Sequence, residues 1–185
     1  MNLRIPILLI VALAQLSVPA SVLWRRDQTL KHGRVWKFKT APVDPVDAIR
    51  GRYIALRFAA EEVPQPEQAI SAASVYAVLK TDENGFAKVD HLAPTRVVGD
   101  DVIKVESLGW WRENQHVRFP FNRYWVTEAN APAAEKAYFA NSHRGNENAY
   151  VTVRVHNGDA GIEDLFIDNQ RLADYLKKPP SNPPK

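Results

Sequence analysis

Cationic and aromatic side chains alternate along one segment in the second half of the chain. The segment contains Arg118, Phe119, Phe121, Arg123, Tyr124 and Trp125, and it follows the pair Trp110 and Trp111. Aromatic rings beside cations can stack bases or sugars. Alternating strand positions, however, usually place one set of side chains in a core and the other set in water. The segment predicts a strand and leaves open a binding face or a core role.

A second cationic group lies around Tyr53. Arg50 and Arg52 come just before it in the chain, and guanidinium groups bind anions through charge-assisted hydrogen bonds. The same arginines are also typical of a solvated face near lipid headgroups. Taken with the aromatic segment and the acidic residue after it, the candidate binding residues are Arg50, Arg52, Tyr53, Arg123, Tyr124 and Glu128.

Catalytic and metal-binding patterns are missing from the sequence. Metal sites need several ligands at defined spacings, and the five histidines stand apart from one another at His32, His91, His116, His143 and His156. There is no cysteine, which excludes thiolate metal sites and a cysteine nucleophile. No Gly-x-Ser-x-Gly motif and no glycine-rich phosphate loop is present. We therefore predict no catalytic residues, no metal and no cofactor.

Length and composition indicate one globular domain and an additional segment. The chain has 185 residues, of which 45% are hydrophobic and 24% are charged, and its net charge is +3. The basic residues are dispersed along the chain, whereas nucleic-acid-binding proteins usually concentrate them in a patch. We therefore predict that nucleic acid is not a partner.

The N-terminal segment predicts a membrane anchor. Ile5 to Trp24 are twenty residues without a charge, and as a helix they would span ~30 Å, the thickness of the hydrocarbon core of a bilayer. At the C-terminal end of this run, Trp24 supplies an aromatic ring and Arg25 and Arg26 supply cations, which favour the interface between membrane and water. A cleaved signal peptide ending at Val18-Pro19-Ala20 is the competing interpretation. We expect residues 1–24 to be the single transmembrane helix and the bilayer to be a partner.

The side of the membrane depends on two opposing signals. Six basic residues after the span place the main domain in the cytoplasm by the positive-inside rule. They are Arg25, Arg26, Lys31, Arg34, Lys37 and Lys39. A short leader with one N-terminal charge usually exports the domain on its C-terminal side. We expect an extracytoplasmic, periplasmic domain.

The remaining chain predicts a mostly β domain over residues 25–177, with a disordered proline-rich tail at 178–185. A connector over 25–33 leads to a first strand. About eight antiparallel strands, forming a sheet or a small barrel, are expected at Arg34–Thr40, Tyr53–Ala59, Ser74–Lys80, Phe86–Leu92, Asp101–Leu108, His116–Val126, Tyr150–Val155 and Ile162–Ile167. Hairpin turns are expected at Asp82–Gly85 and at Asn157-Gly158. One short helix is expected at Asn130–Phe139.

The stretch from Arg50 to Phe58 resembles the motif that gives the GDYXXLXY family of bacterial membrane-anchored proteins its name. Asp44-Pro45, Arg50-Gly51-Arg52-Tyr53, Leu56 and Phe58 carry the resemblance. Later segments agree in order, including Phe121 to Glu128 and the closing hairpin, so the resemblance extends from about Trp24 to Asp168. Arg52 replaces the Asp of the motif and Phe58 replaces its second Tyr. The resemblance implies an N-terminal membrane helix and no established activity.

These observations favour a membrane-anchored envelope domain that serves as an interaction or accessory module. It would bind another membrane protein through exposed edge strands and the aromatic strand. One alternative is a hydrolase with Tyr53, Arg123 and Glu128 lining a cleft. The other is a domain that binds a small ligand or glycan, which predicts that Trp110, Trp111 and Trp125 are exposed together.

Overall fold

The computed structural model describes residues 4–41, 53–64, 72–111, 113–142 and 148–177, without the side chains of Arg4, Pro6 and Leu9. Its strands are β1 (Arg34–Lys39), β2 (Tyr53–Ala55), β3 (Glu62–Pro64), β4 (Ser74–Thr81), β5 (Ala87–Ala93), β6 (Val102–Trp111), β7 (Asn114–Arg118), β8 (Arg123–Trp125), β9 (Ala149–His156), β10 (Asp159–Ile167) and β11 (Gln170–Arg171). Its helices are α1 (Arg4–His32), α2 (Ala131–Ser142) and α3 (Leu172–Tyr175), with a 3₁₀ turn at Ala59–Glu61.

The strands form antiparallel sheets, which confirms the expectation of a mostly β domain. A five-stranded sheet has the order β3-β7-β6-β4-β5, and a four-stranded sheet has the order β1-β9-β10-β11. Strands β2 and β8 form a separate two-stranded ribbon. Isolated bridges connect Thr40 with Phe58 and Ile103 with Gly158. Among the described strands no sheet closes on itself, so the small-barrel alternative is wrong.

Both predicted hairpin turns are present. Asn157 and Gly158 adopt positive φ angles of 51° and 93° between β9 and β10, as a two-residue type I′ turn requires. Asp82 accepts hydrogen bonds from the backbone N–H groups of Asn84 and Phe86 at 2.9 and 2.8 Å, and Gly85 has a φ of 83°. The local turn chemistry therefore sets the register of both hairpins.

One hydrophobic core connects the sheets and the ribbon. At its centre, four phenylalanine rings pack against one another with centroids 5.1 to 6.0 Å apart. They belong to Phe38 on β1, Phe58 after β2, Phe119 after β7 and Phe121 before β8. Ile54, Leu56 and Phe58 are buried in this core, although the strand that was predicted to reach Ala59 ends at Ala55.

Three expectations about the elements need correction. The segment His116–Val126 is not one strand, because the chain leaves the sheet around Pro120, and β7 and β8 belong to different sheets. Proline lacks the N–H that a continuous ladder would require. Residues 25–32 are helical rather than a connector, and the expected single short helix is joined by α3. The tail at 178–185 lies outside the described residues.

Helix α1 has two parts with different surroundings. From Ile5 to Trp24 its large apolar side chains are 49–69% exposed wherever the structure describes them. Near its end, Thr29 is buried against the domain, and Gly33 follows the helix where it meets β9. A Cβ at Gly33 would lie only 3.0 Å from the carbonyl oxygen of Val155, so glycine permits this close approach.

Within the part of the chain that the structure describes, no helix has the combined length and apolar character needed to cross a membrane.

Candidate functional site

The β2–β8 ribbon places two of the candidate side chains, Tyr53 and Arg123, on one outward face together with Trp125. Tyr53 pairs with Trp125 across the ribbon, and their ring centroids are 5.3 Å apart. The Arg123 guanidinium carbon lies 4.9 Å from the centroid of the Tyr53 ring, within the range of a cation–π interaction. Ile54, on the opposite face, is buried. The period of two in a strand therefore keeps this aromatic–cationic face in contact with solvent.

Tyr124 points away from that face and connects the ribbon to the four-stranded sheet. Its hydroxyl donates a hydrogen bond to Asp164 Oδ1 at 3.1 Å, and Arg171 Nε lies 3.3 Å from Asp164 Oδ2. Burial, and then the negative charge of Asp164, raises the pKa of Tyr124 to about 12. The phenol therefore stays protonated at neutral pH and serves as a hydrogen-bond donor rather than as a base or nucleophile.

A groove of about 950 Å³ lies beside Arg123 and Tyr124. Four parts of the chain that are distant in sequence form its walls: α1 from Val22 to Leu30, Lys104 of β6, the segment that contains β8, and the turn between β9 and β10 with the start of β10. Its lining residues are Val22, Arg25, Arg26, Thr29, Leu30, Lys104, Pro120, Phe121, Asn122, Arg123, Tyr124, Trp125 and residues 158–163.

The groove has an excess of positive charge. Its cations are Arg25, Arg26, Lys104 and Arg123, and across the described ranges none of the four forms an ion pair. Its carboxylates are Asp159 and Glu163. Glu163 is already engaged, because its Oε1 accepts hydrogen bonds from Arg154 Nε and Nη2 at 3.0 and 2.8 Å. The surplus cations give the groove the charge that an anionic ligand requires.

The predicted binding residues are only partly brought together. Arg123 and Tyr124 line the groove, and Tyr53 contacts Arg123 from outside it. Glu128 is exposed and is not part of the groove lining. Arg50 and Arg52 lie outside the described residues.

Sequence reasoning missed the contribution of α1 and β6 to this site. Arg25 and Arg26 were interpreted only as the flank of a membrane span, although the chain places them beside Arg123. Lys104 is one polar position of an alternating strand, and no local signal distinguishes it from the others. The doublet Arg25-Arg26 next to an apolar run is the sequence signal that could have indicated the contribution of α1.

Across the described ranges, no cluster of three or more histidine, cysteine or acidic side chains could hold a metal ion. The groove itself contributes two carboxylates, and one of them is held by Arg154.

The three tryptophans of the aromatic segments are exposed. Trp110 and Trp111 lie at the end of the β6–β7 hairpin with 41% and 70% of their surface exposed, and Trp125 is 64% exposed. Leu108, the extra residue of the β-bulge in β6, is exposed beside them. Exposed apolar groups of this kind mark interaction surfaces.

Comparison with known proteins gives one match. A family model described as GDYXXLXY protein matches residues 15–165. No curated protein and no solved structure matches the chain. The matched range begins inside α1 and includes the ribbon, the groove, the five-stranded sheet and the four-stranded sheet up to residue 165 in β10.

Proposed function

Because the chain belongs to the GDYXXLXY family, we propose that it is an accessory binding module that the first part of α1 holds at a bacterial envelope membrane. The β domain would lie on the extracytoplasmic side, where it contacts another membrane protein. The observation that carries the proposal is the contrast within α1, whose described large apolar side chains up to Trp24 are 49–69% exposed, whereas Thr29 near its end is buried.

The chemistry of this exposed helix suits lipid. Eleven described side chains of Ile5 to Trp24 are large and apolar, and they occur around the whole helix: Ile5, Ile7, Leu8, Ile10, Val11, Leu13, Leu16, Val18, Val22, Leu23 and Trp24. Ser17 and Ser21 donate hydrogen bonds to the carbonyl oxygens of Ala14 and Val18 at 2.7 Å. Helices in lipid satisfy their polar groups internally in this way.

A charge placed on this helix tests the membrane attachment. Leu13 is 68% exposed, so Leu13→Asp would change little if the helix were in water. In a bilayer an aspartate at the centre of a helix costs ~2.5–3.5 kcal/mol, which corresponds to a loss of about 100-fold in membrane partition. We expect Leu13→Asp to release the chain from membranes that are washed with alkaline carbonate.

The matched control is Val98→Asp, which adds the same charge at a loop residue that is 62% exposed. This variant should remain in the membrane fraction. Protease treatment of intact and permeabilised cells then reports the side, with cleavage of the β domain expected only after the outer membrane is opened. A mature chain that begins at Ser21 and is free in solution would overturn the proposal.

Contact with a membrane protein is proposed for the β6–β7 hairpin. Tryptophan is the residue most enriched at the centres of protein interfaces, and Trp110 and Trp111 are exposed at this hairpin end. The chain has no cysteine, so Glu113→Cys provides a single thiol beside both rings. Asn84→Cys, on the exposed β4–β5 turn, is its matched control.

We expect the thiol of Glu113→Cys to react with a maleimide more slowly in native membranes than in lipid vesicles that contain only the purified chain. The thiol of Asn84→Cys should react at equal rates in both. Equal rates for Glu113→Cys in the two preparations would contradict contact with a protein. Slow reaction in the vesicles as well would assign the hairpin to the lipid surface instead.

Binding of a small ligand is a second candidate function, and the groove favours it. The groove has the size of known ligand sites, which are roughly 300–1,000 Å³, and it combines apolar walls with cations that form no ion pair within the described chain. The hydrolase alternative stays a prediction. Of its three residues, Tyr53 and Arg123 are in contact, and Glu128 is exposed and does not line the groove.

A further inference from the structure

We propose that the groove beside α1 binds the phosphate of an anionic phospholipid headgroup. Arg25 and Arg26 would approach the phosphate from α1, and Arg123 would approach it from β8. This inference rests on the proposed membrane attachment, and it adds a ligand class and the residues that recognise it.

The position of the groove along α1 matches the depth of lipid headgroups. Val22 lines the groove and belongs to the exposed apolar run, and Arg25 and Arg26 come directly after the end of that run at Trp24. One residue advances a helix by about 1.5 Å. If the apolar run lies in hydrocarbon, the two arginines lie within about one helical turn of its edge, where the lipid phosphates are.

The balance of charges in the groove favours an anionic group such as a phosphate. Two walls supply guanidinium groups, which pair with phosphate oxygens in a bidentate manner, and Lys104 adds a further cation from the five-stranded sheet. Arg154 compensates Glu163. Asp159 is then the one carboxylate in the groove that opposes an anion, against four cations.

The remaining lining suits the glycerol and upper acyl region of a lipid rather than a free ion. Val22, Leu30 and Ile162 contribute aliphatic surface, and Trp125 contributes an exposed indole. Indole rings prefer the boundary between headgroups and hydrocarbon. A free phosphate ion would leave this apolar surface uncovered, and we therefore assign the groove to a phospholipid.

The test uses the full chain in nonionic detergent micelles and native mass spectrometry to count retained lipids. The probes are phosphatidylglycerol, which is anionic, and phosphatidylcholine, which has a phosphate but no net charge. Inorganic phosphate is added as a competitor in a separate arm. The test variant is Arg26→Gln with Arg123→Gln. The control is Arg96→Gln, which removes one exposed cation outside the groove.

We expect the wild-type chain to retain phosphatidylglycerol in preference to phosphatidylcholine. Each basic residue near an anionic lipid surface contributes roughly a factor of five to binding. The double variant should therefore lose about 25-fold in affinity, and Arg96→Gln should retain the wild-type value. Lys104→Glu changes a different wall of the groove and should also weaken lipid binding. Weaker binding by this variant would show that the loss does not come from a local change in α1 alone.

Three results would overturn the inference: equal retention of the two lipids, equal binding by the wild type and the double variant, or displacement of the lipid by inorganic phosphate at the same concentration. The last result would identify a free-phosphate site. Lipid is supplied in micelles, so this experiment does not depend on attachment to a cell membrane. If the chain does not retain phosphatidylglycerol but still resists extraction by carbonate, the headgroup site is refuted and the proposed membrane attachment stands.

Discussion

The phenylalanine cluster and the β2–β8 ribbon are neighbours in the chain with opposite surroundings. Phe119 and Phe121 are 1% and 6% exposed, and Trp125, four residues after Phe121, is 64% exposed. Both regions continue one alternating pattern of aromatic side chains. In the cluster, Phe38 and Phe58 fill the space opposite the rings, whereas the outward face of the ribbon meets no further layer of the described chain.

This difference shows that the same residue types contribute to stability in one region and are available for binding in the other. A ring that is surrounded by other rings gains from burial and dispersion. A ring that remains in water leaves its apolar surface and its neighbouring cation available to a ligand. Mutations in the two regions should therefore separate stability from binding.

The largest expected effect is from Phe38→Ala, at the centre of the cluster. Phe38 is completely buried, and its ring lies 5.1 to 5.7 Å from three other phenylalanine rings. Removing a buried phenylalanine costs ~3–5 kcal/mol because a cavity remains. Chemical denaturation in detergent should show this loss in the free energy of unfolding. Trp125→Ala is the control, and an equal loss there would remove the distinction between the two regions.

At the edge of the cluster, Glu61 should make stability depend on pH. Burial raises the pKa of Glu61 to about 7 from 4.5. The Phe58 backbone and the charges of Arg57 and Arg118 act in the opposite direction and only partly offset burial. The folded state therefore binds the proton more tightly than the unfolded state, and stability falls as pH rises from about 4.5 to about 7.

Glu61→Gln should remove this dependence. The variant should be more stable than the wild type by about 2 kcal/mol at pH 8. The free energies of unfolding of the two proteins should be most similar at pH 4, where the wild-type carboxyl is protonated. Denaturation at both pH values measures the difference. Glu62→Gln, at an exposed neighbour, is the control. A constant difference across pH would show that Glu61 does not titrate as stated.

A smaller effect is expected where the ribbon meets the four-stranded sheet. Tyr124→Phe removes the hydrogen bond to Asp164, and a hydrogen bond of this type contributes ~1 kcal/mol. Tyr76→Phe is a matched control because the Tyr76 hydroxyl has no hydrogen-bond partner across the described ranges. Thermal unfolding of both variants should separate them, and equal melting temperatures would mean that the Tyr124 contact does not stabilise the ribbon.

The smallest effect is expected on the outward face of the ribbon. A double-mutant cycle with Tyr53→Leu and Arg123→Gln should give a coupling of ~0.5 kcal/mol, typical of a cation–π pair at an exposed site. The two single variants should be almost as stable as the wild type. A coupling comparable with the loss from Phe38→Ala would place the ribbon face among the stabilising contacts and would argue against its availability to a ligand.

Much of the fold depends on local patterns. The strands β4 and β9, the turns at Gly85 and Asn157-Gly158, and the helix after Asn130 depend largely on local residue patterns, and the sequence predicted each of them. The strand from His116 to Val126 was misjudged because continuous alternation hides the change of partner at Pro120. Sheet membership is set by segments that are distant in sequence, which a local pattern does not report.

The sequence alone determined the uncharged run before Arg25, the β-rich domain after it, and the family motif around Tyr53. These features depend on the types of neighbouring residues and on their spacing, which can be read directly from the sequence. Only the tertiary structure decided that α1 continues to His32 and that Arg25 lies in one groove with Lys104 and Arg123. It also decided which aromatic rings are buried. Such contacts join residues about 20 to 100 positions apart, and their energies depend on the packing of whole layers.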